Sequence, residues 1–235
     1  MIDRRFEGKS VLVTGGSRGI GKAIARAFHG AGAAVTICGR EARSLVLAAK
    51  EIGEIACVPA DVRRDARKLL RLLGRLDVLV NNAGGMEHHG DFEGSSPAAW
   101  RSTFELNLFS AVEVTRAALP LLRRSRGCVV NIASDVGRRP FRMGPDYCAA
   151  KAALISLTRY LAAELAPAVR VNAVCPGPVV TGPWSKPEVR EAARRTLAGR
   201  TGRPEEVAEA VLLAAHNGYM TGAVLGVDGG AARSP

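Results

Sequence analysis

Residues 10–30 read SVLVTGGSRGIGKAIARAFHG. An apolar, β-branched run at 10–14 reads as a strand and enters Thr14-Gly15-Gly16-Ser17-Arg18-Gly19-Ile20-Gly21, after which an Ala-rich segment reads as a helix. Gly15 permits the tight turn, Gly19 lets the backbone approach a pyrophosphate, and Gly21 allows the helix to pack closely on the strand. The helix amino terminus then offers free N–H groups and the positive end of its dipole to an anion. Glycine in a turn is by itself only a conformational requirement. The position of this turn, closing the first strand and opening the first helix, makes it a dinucleotide-binding signal.

Outward from that turn the pattern repeats. Strands are expected at 10–14, 34–38, 55–58, 77–81, 128–132, 170–174 and 223–227, most as unbroken apolar runs of the kind buried on both faces. Helices are expected near 19–31, 41–52, 63–73, 98–123, 146–166, 187–198 and 204–216. Such alternation implies right-handed βαβ units and an α/β, Rossmann-like, doubly wound parallel sheet of seven strands covered on both sides. With 235 residues and no linker or composition shift, one domain over 1–235 is expected. The Gly/Pro-rich loops 136–146 and 176–187 each follow a strand, where ligands of open α/β sheets bind.

Composition narrows the classes. The chain is 47% hydrophobic and 23% charged, which excludes global disorder. No apolar run approaches the roughly 18 residues of a membrane helix, and no apolar signal region precedes the first strand. Five cysteines, odd in number and without CxxC spacing, suggest neither a disulfide framework nor a metal cluster and fit a reducing, cytoplasmic setting. The formal net charge of +11 invites a nucleic-acid reading. However, 27 of the 33 basic residues are Arg scattered through every expected helix, aromatics are only 5%, and no basic run reaches five residues. Nucleic acid is therefore set aside, and attraction of an anionic ligand or of an acidic partner protein is kept.

TGGSRGIG resembles the TGxxxGxG motif of the short-chain dehydrogenase/reductase family, and further motifs agree in order: Asp61-Val62, Asn81-Asn82-Ala83-Gly84, Asn107, Ser134, Tyr147-x-x-x-Lys151, Pro176-Gly177 and Val227-Asp228-Gly229-Gly230. The resemblance spans about residues 6–230. It implies a nicotinamide cofactor held by Gly15, Ser17, Arg18, Gly19, Ile20 and Gly21. Asp61 and Val62 would lie beside the adenine, and Asn82, Ala83 and Gly84 beside its ribose. Pro176, Gly177 and Thr181 would grip the nicotinamide carboxamide, with Tyr147 and Lys151 at the nicotinamide end. At the end of the second strand, Thr36-Ile37-Cys38-Gly39-Arg40 carries no acid for a ribose 2′-hydroxyl, whereas Arg40 and Arg18 could hold a 2′-phosphate bidentately. NADP(H) is thus expected over NAD(H).

Tyr147 and Lys151, four apart on an expected helix, share a face. A carbonyl that accepts hydride becomes an alkoxide and needs a proton. A free tyrosine (pKa about 10) serves poorly near neutrality, and a neighbouring ammonium is expected to lower it by about 1–3 units. Ser134 could donate to the developing oxyanion. By resemblance, Asn107 would hold a water linking the lysine to solvent. The implied tetrad is Asn107, Ser134, Tyr147 and Lys151, and no metal site is expected.

The expected substrate walls carry Met86, His88, His89, Arg139, Phe141, Met143, Val179 and Trp184. Within the family, the chain looks most like 3-oxoacyl-[acyl-carrier-protein] reductases, which would give its basic surface an acidic carrier to meet, with Arg123, Arg124 and Arg126 near the expected docking rim. Pro167-Ala168 stands where those reductases usually carry a basic residue, and the stretch from Asp61 to Asn81 is short. Alternatives are a ketoreductase or secondary-alcohol dehydrogenase acting on a free cyclic or aromatic compound, and a non-catalytic NADP(H) sensor, whose signature would be loss of a tetrad residue. The expected helix at 146–166 is apolar almost all round, which implies a second protein surface and, by resemblance, a homotetramer or homodimer.

Overall fold

The computed structural model describes residues 4–87, 90–141 and 144–233. Seven strands, β1 (Ser10–Thr14), β2 (Ala34–Gly39), β3 (Ala56–Pro59), β4 (Val78–Asn81), β5 (Cys128–Ile132), β6 (Arg170–Pro176) and β7 (Val224–Val227), form one sheet in the order β3-β2-β1-β4-β5-β6-β7. Every pairing is parallel. The order reverses between β1 and β4, which opens a crevice at their carboxyl ends.

The unbroken apolar runs are explained by burial on both faces. Within β1, Val11 and Val13 join one core and Leu12 the other. The first core lies under α1 (Gly19–Gly30), α2 (Ala42–Ile52) and α8 (Pro204–His216); the second lies under α3 (Ala66–Arg71), α5 (Ser110–Ser125) and α6 (Pro145–Leu165). The two remaining helices are α4 (Pro97–Phe104) and α7 (Lys186–Arg194). Phe28 of α1 is fully buried and meets Phe6 edge-on at 4.8 Å.

Three elements depart from expectation. The helix expected at 63–73 is only the six residues of α3, because Asp65 turns back to accept the Asp61 backbone N–H (2.8 Å) before the helix begins. The segment expected as one helix over 98–123 is α4 and α5 joined by a single π-helical stretch, Glu105–Phe109. The helix expected to reach 198 ends at Arg194. At its start α7 has a full capping box between Ser185 and Glu188. No described helix is long and apolar enough to cross a membrane.

Candidate active site

The glycine turn is knitted to the end of β4. The Thr14 hydroxyl accepts the backbone N–H groups of Asn82 (3.0 Å) and Ala83 (2.9 Å), while the Asn82 side-chain amide donates to the carbonyls of Thr14 (2.8 Å) and Gly15 (3.1 Å). Gly15 has φ +66°, and a Cβ there would lie 3.0 Å from the Ala83 Cα. A Cβ on Gly21 would run into the Gly15 carbonyl oxygen and Asn82 Nδ2, so the first turn of α1 sits directly on the loop. That turn contains no acidic residue, and its capping position, Arg18, makes no side-chain cap. Its free N–H groups and dipole therefore remain available to an anion. Thr181 crosses above the turn, 2.9 Å from where a Gly19 Cβ would stand.

At the end of β2, Arg40 is exposed, as is Arg18, and neither has an ion pair among the described residues. The adjacent acid Glu41 accepts the Ser44 hydroxyl (2.6 Å). Asp61 is gripped by Arg63 through Nε (3.1 Å) and Nη2 (2.9 Å), which holds its carboxyl down at about 2. It is therefore an ionised acceptor. These features suit a dinucleotide: close backbone, a dipole end, two unpaired cations and a fixed carboxylate.

The second half of the site lies at the carboxyl ends of β4 and β5. Lys151, on α6, is buried and donates Nζ to the Ile132 carbonyl at 2.9 Å, two residues before Ser134. Its ammonium lies 5.6 Å from the centre of the Tyr147 ring. Asn107 occupies the π-helical stretch, where the helix opens to re-aim a side chain. Its amide accepts the Gly85 N–H (3.0 Å) and donates to the carbonyls of Gly85 (2.9 Å) and Thr103 (3.0 Å). A Cβ on Gly84 would lie 2.7 Å from Asn107 Oδ1 and 3.2 Å from Lys151 Nζ, so Gly84 leaves the space between them open. Asp146, at the first turn of α6, accepts the Thr103 hydroxyl (2.5 Å) and the Tyr147 N–H (2.9 Å), which ties α4 to α6. Ser134 donates to Asp135 Oδ1 at 2.9 Å.

Burial sets the protonation of this cluster. It pushes the Tyr147 phenol up to about 12, against a lowering hydrogen bond from Ser134, and Asp135 adds to the rise. It pushes the Lys151 ammonium down to about 8. The expectation that the ammonium lowers Tyr147 is therefore overturned for the chain by itself, because desolvation of both groups outweighs their proximity.

A sequence profile described as enoyl-(acyl carrier protein) reductase matches residues 15–232. The granaticin polyketide synthase putative ketoacyl reductase 2 of Streptomyces violaceoruber is 41% identical, over 96% of this chain and 96% of that protein. The L-fucose dehydrogenase of rabbit (Oryctolagus cuniculus) is 39% identical, over 97% of this chain and 86% of the rabbit protein. The Pseudomonas aeruginosa RhlG/NADP active-site complex superposes with a TM-score of 0.92 at 36% identity, covering 99% of this chain and all of that one. The chain belongs to the short-chain dehydrogenase/reductase family.

Within this short-chain dehydrogenase/reductase, the structure brings Asn107, Ser134, Tyr147 and Lys151 to one end of the sheet beside the glycine turn. Gly177 packs against Asp228, so the Pro176-Gly177 segment and the Asp228 turn adjoin. Val62 is buried. Of the expected substrate-wall residues, Phe141 and Trp184 are exposed, at 49% and 39%, and Val179 is buried. Met86 is half-buried and Arg139 exposed. His88, His89 and Met143 lie outside the described residues. Arg123, Arg124 and Arg126 stand before the amino end of β5, opposite Ser134, so they do not border this cleft. Cations on the Ser134 side include Arg138, 3.5 Å from Asp228, and Arg195, 3.9 Å above the Phe141 ring.

Sequence reasoning missed Asp135, Asp146 and Thr103. Two of these were signalled, since an acid directly follows Ser134 and another directly precedes Tyr147. Among the described residues, no group of three or more His, Cys, Asp or Glu could hold a metal ion.

Proposed function

We propose that this chain interconverts a ketone and a secondary alcohol with NADP(H), Tyr147 exchanging the proton. The observation that carries this reading is the convergence of Ser134, Tyr147 and Lys151 at the carboxyl ends of the strands, beside a glycine turn built to receive an anion. When bound, the nicotinamide supplies or accepts hydride, and its oxidised form brings a positive charge that favours the phenolate. Ser134 and Tyr147 hold the substrate oxygen. Lys151 orients the cofactor ribose, and Asn107 fixes the Gly84–Gly85 wall between itself and Lys151. Arg18 and Arg40, exposed and without ion pairs among the described residues, support the 2′-phosphate of NADP(H) over NAD(H).

The substrate is a 3-oxoacyl thioester presented on an acyl carrier protein. The similarity to a ketoacyl reductase of polyketide synthesis supports this, as does the net charge of +11 facing an acidic carrier. A second reading, oxidation of a free polyhydroxylated alcohol, is favoured by the L-fucose dehydrogenase relative. A polar crevice beside α6, lined by Glu87, Asp91, Ser95, Ser96 and Asp146, supports it too. On this chain α6 presents an exposed Tyr160 and the π-helical stretch an exposed Phe109, and these would pair with further copies of the chain in a homodimer or homotetramer. The test is NADPH consumption with a 3-oxoacyl thioester beside a panel of free ketones, together with NADP-dependent oxidation of sugars and diols. A higher kcat/KM on the thioester supports the first reading. Turnover confined to free compounds overturns it in favour of the second.

A further inference from the structure

The Ser134 hydroxyl has one proton to give and two oxygens beside it that can take it, the Tyr147 phenol oxygen and the Asp135 carboxyl group. Ser134 Oγ donates to Asp135 Oδ1 at 2.9 Å, and the same oxygen accepts the Val136 N–H at 2.8 Å. Asp135 heads the 3-10 turn Asp135–Gly137 and is only 6% exposed, so the carboxyl is fixed rather than sampling solvent. A hydroxyl committed to a carboxylate cannot also donate to a developing alkoxide.

We propose that Asp135 is a positioning residue that aims the Ser134 hydroxyl. Ionised, its carboxylate captures the Ser134 proton; neutral, it donates its own proton to Ser134 Oγ and releases the Ser134 hydrogen to the substrate oxygen. In the neutral state the donors run Asp135 O–H to Ser134 O–H to substrate oxygen, and no proton need leave Asp135 during turnover. The assignment rests on the reading of Ser134 and Tyr147 given above.

The charged and titratable groups around Asp135 are balanced. From α6, Tyr147 and Cys148 face it; from the end of β6, Cys175; from beyond β7, Asp228, itself held by Arg138; and from the end of α7, Arg195. Arg195, Ser134 and the Val136 N–H favour the ionised carboxylate. Burial and Asp228 oppose it, and burial is the largest effect, so the carboxyl titrates above the ordinary aspartate range.

The test is kcat/KM for reduction of the best ketone between pH 4 and 7, below the titration of Lys151 and far below that of Tyr147. Wild type, Asp135→Asn, Ser134→Ala and the double variant are compared. In wild type kcat/KM falls about tenfold as pH rises through the Asp135 ionisation, less than the full loss of an oxyanion donor. Asn, neutral at every pH, abolishes that fall and holds the low-pH rate across the window. With Ser134→Ala the fall disappears whether residue 135 is Asp or Asn, which tests the idea even if Asp135→Asn folds poorly. A fall that persists in Asp135→Asn or in Ser134→Ala overturns the proposal while leaving the oxidoreductase reading intact. Absence of ketone turnover by wild type overturns both.

Discussion

Lys151→Met is expected to make this protein more stable while removing its activity. The Lys151 side chain is 3% exposed, its amine donates to the Ile132 carbonyl at 2.9 Å, and burial pulls its pKa from 10.5 to about 8. At about 1.4 kcal/mol per unit, holding that cation in the fold at pH 7 costs roughly 3 kcal/mol. Methionine fills similar volume without charge. Leaving the Ile132 carbonyl without its partner returns roughly 1 kcal/mol of that gain. The net gain is about 2 kcal/mol, which for a chain of this length raises Tm by about 4 °C. The pH dependence has a defined sign. A base whose folded pKa lies below its unfolded value binds fewer protons when folded, so wild-type stability rises as pH goes from about 8 to 10.5. The advantage of Lys151→Met therefore shrinks, from about 2 kcal/mol at pH 7 to about 1 kcal/mol at pH 9. The buried thiols Cys38, Cys128 and Cys175, pushed up to about 12, 11 and 11, act in the opposite direction above pH 9. The contributions of Cys38 and Cys128 cancel in the difference between the two proteins, and Cys175, which Lys151 lowers, stays almost wholly protonated in both folds at pH 9. Urea unfolding followed by tryptophan fluorescence at pH 7 and 9 measures that difference. A variant less stable than wild type at pH 7, or an advantage that does not shrink at pH 9, would refute the reasoning.

Two further substitutions test the cofactor half of the site. Arg40→Ala should weaken NADPH binding by about tenfold or more and leave NADH within about twofold, because a single charge-assisted contact to a phosphate is lost; fluorescence titration of both cofactors checks this, and equal losses would count against a 2′-phosphate site. Gly21→Ala forces a Cβ onto the Gly15 carbonyl oxygen and Asn82 Nδ2, so the turn must open; titration should show cofactor binding largely lost, and thermal unfolding should show a drop of several degrees.

The sheet was legible because its signal is local. Runs such as VLVT and VLVN are apolar on both faces, and the strands formed where those runs stood, with the glycine turn closing β1. The motif residues that the fold gathers at one end of the sheet were legible for the same reason. What could not be read depends on contacts distant in sequence. The π-helical turn at Asn107 is fixed by Gly85, 22 residues away, and nothing in the local sequence of a long amphipathic helix announces it. The Tyr147 pKa was misjudged because the Tyr-Lys spacing reveals the neighbouring charge but not the burial that outweighs it. Asp135 belongs to no motif, since its importance comes from being enclosed by α6, α7 and the strand ends. The arginines before β5 were expected near the carrier-docking rim, and strand direction puts them at the end of the sheet opposite Ser134.

The most direct test of the central claim is Tyr147→Phe, which removes one oxygen atom and keeps the ring. NADPH oxidation with the best ketone of the panel, read beside NADPH affinity from fluorescence titration, should show turnover down by about a thousandfold or more, the upper range for loss of a general acid. NADPH binding should stay within a few-fold of wild type. A Tyr147→Phe protein that reduces the ketone within tenfold of the wild-type rate would contradict the account.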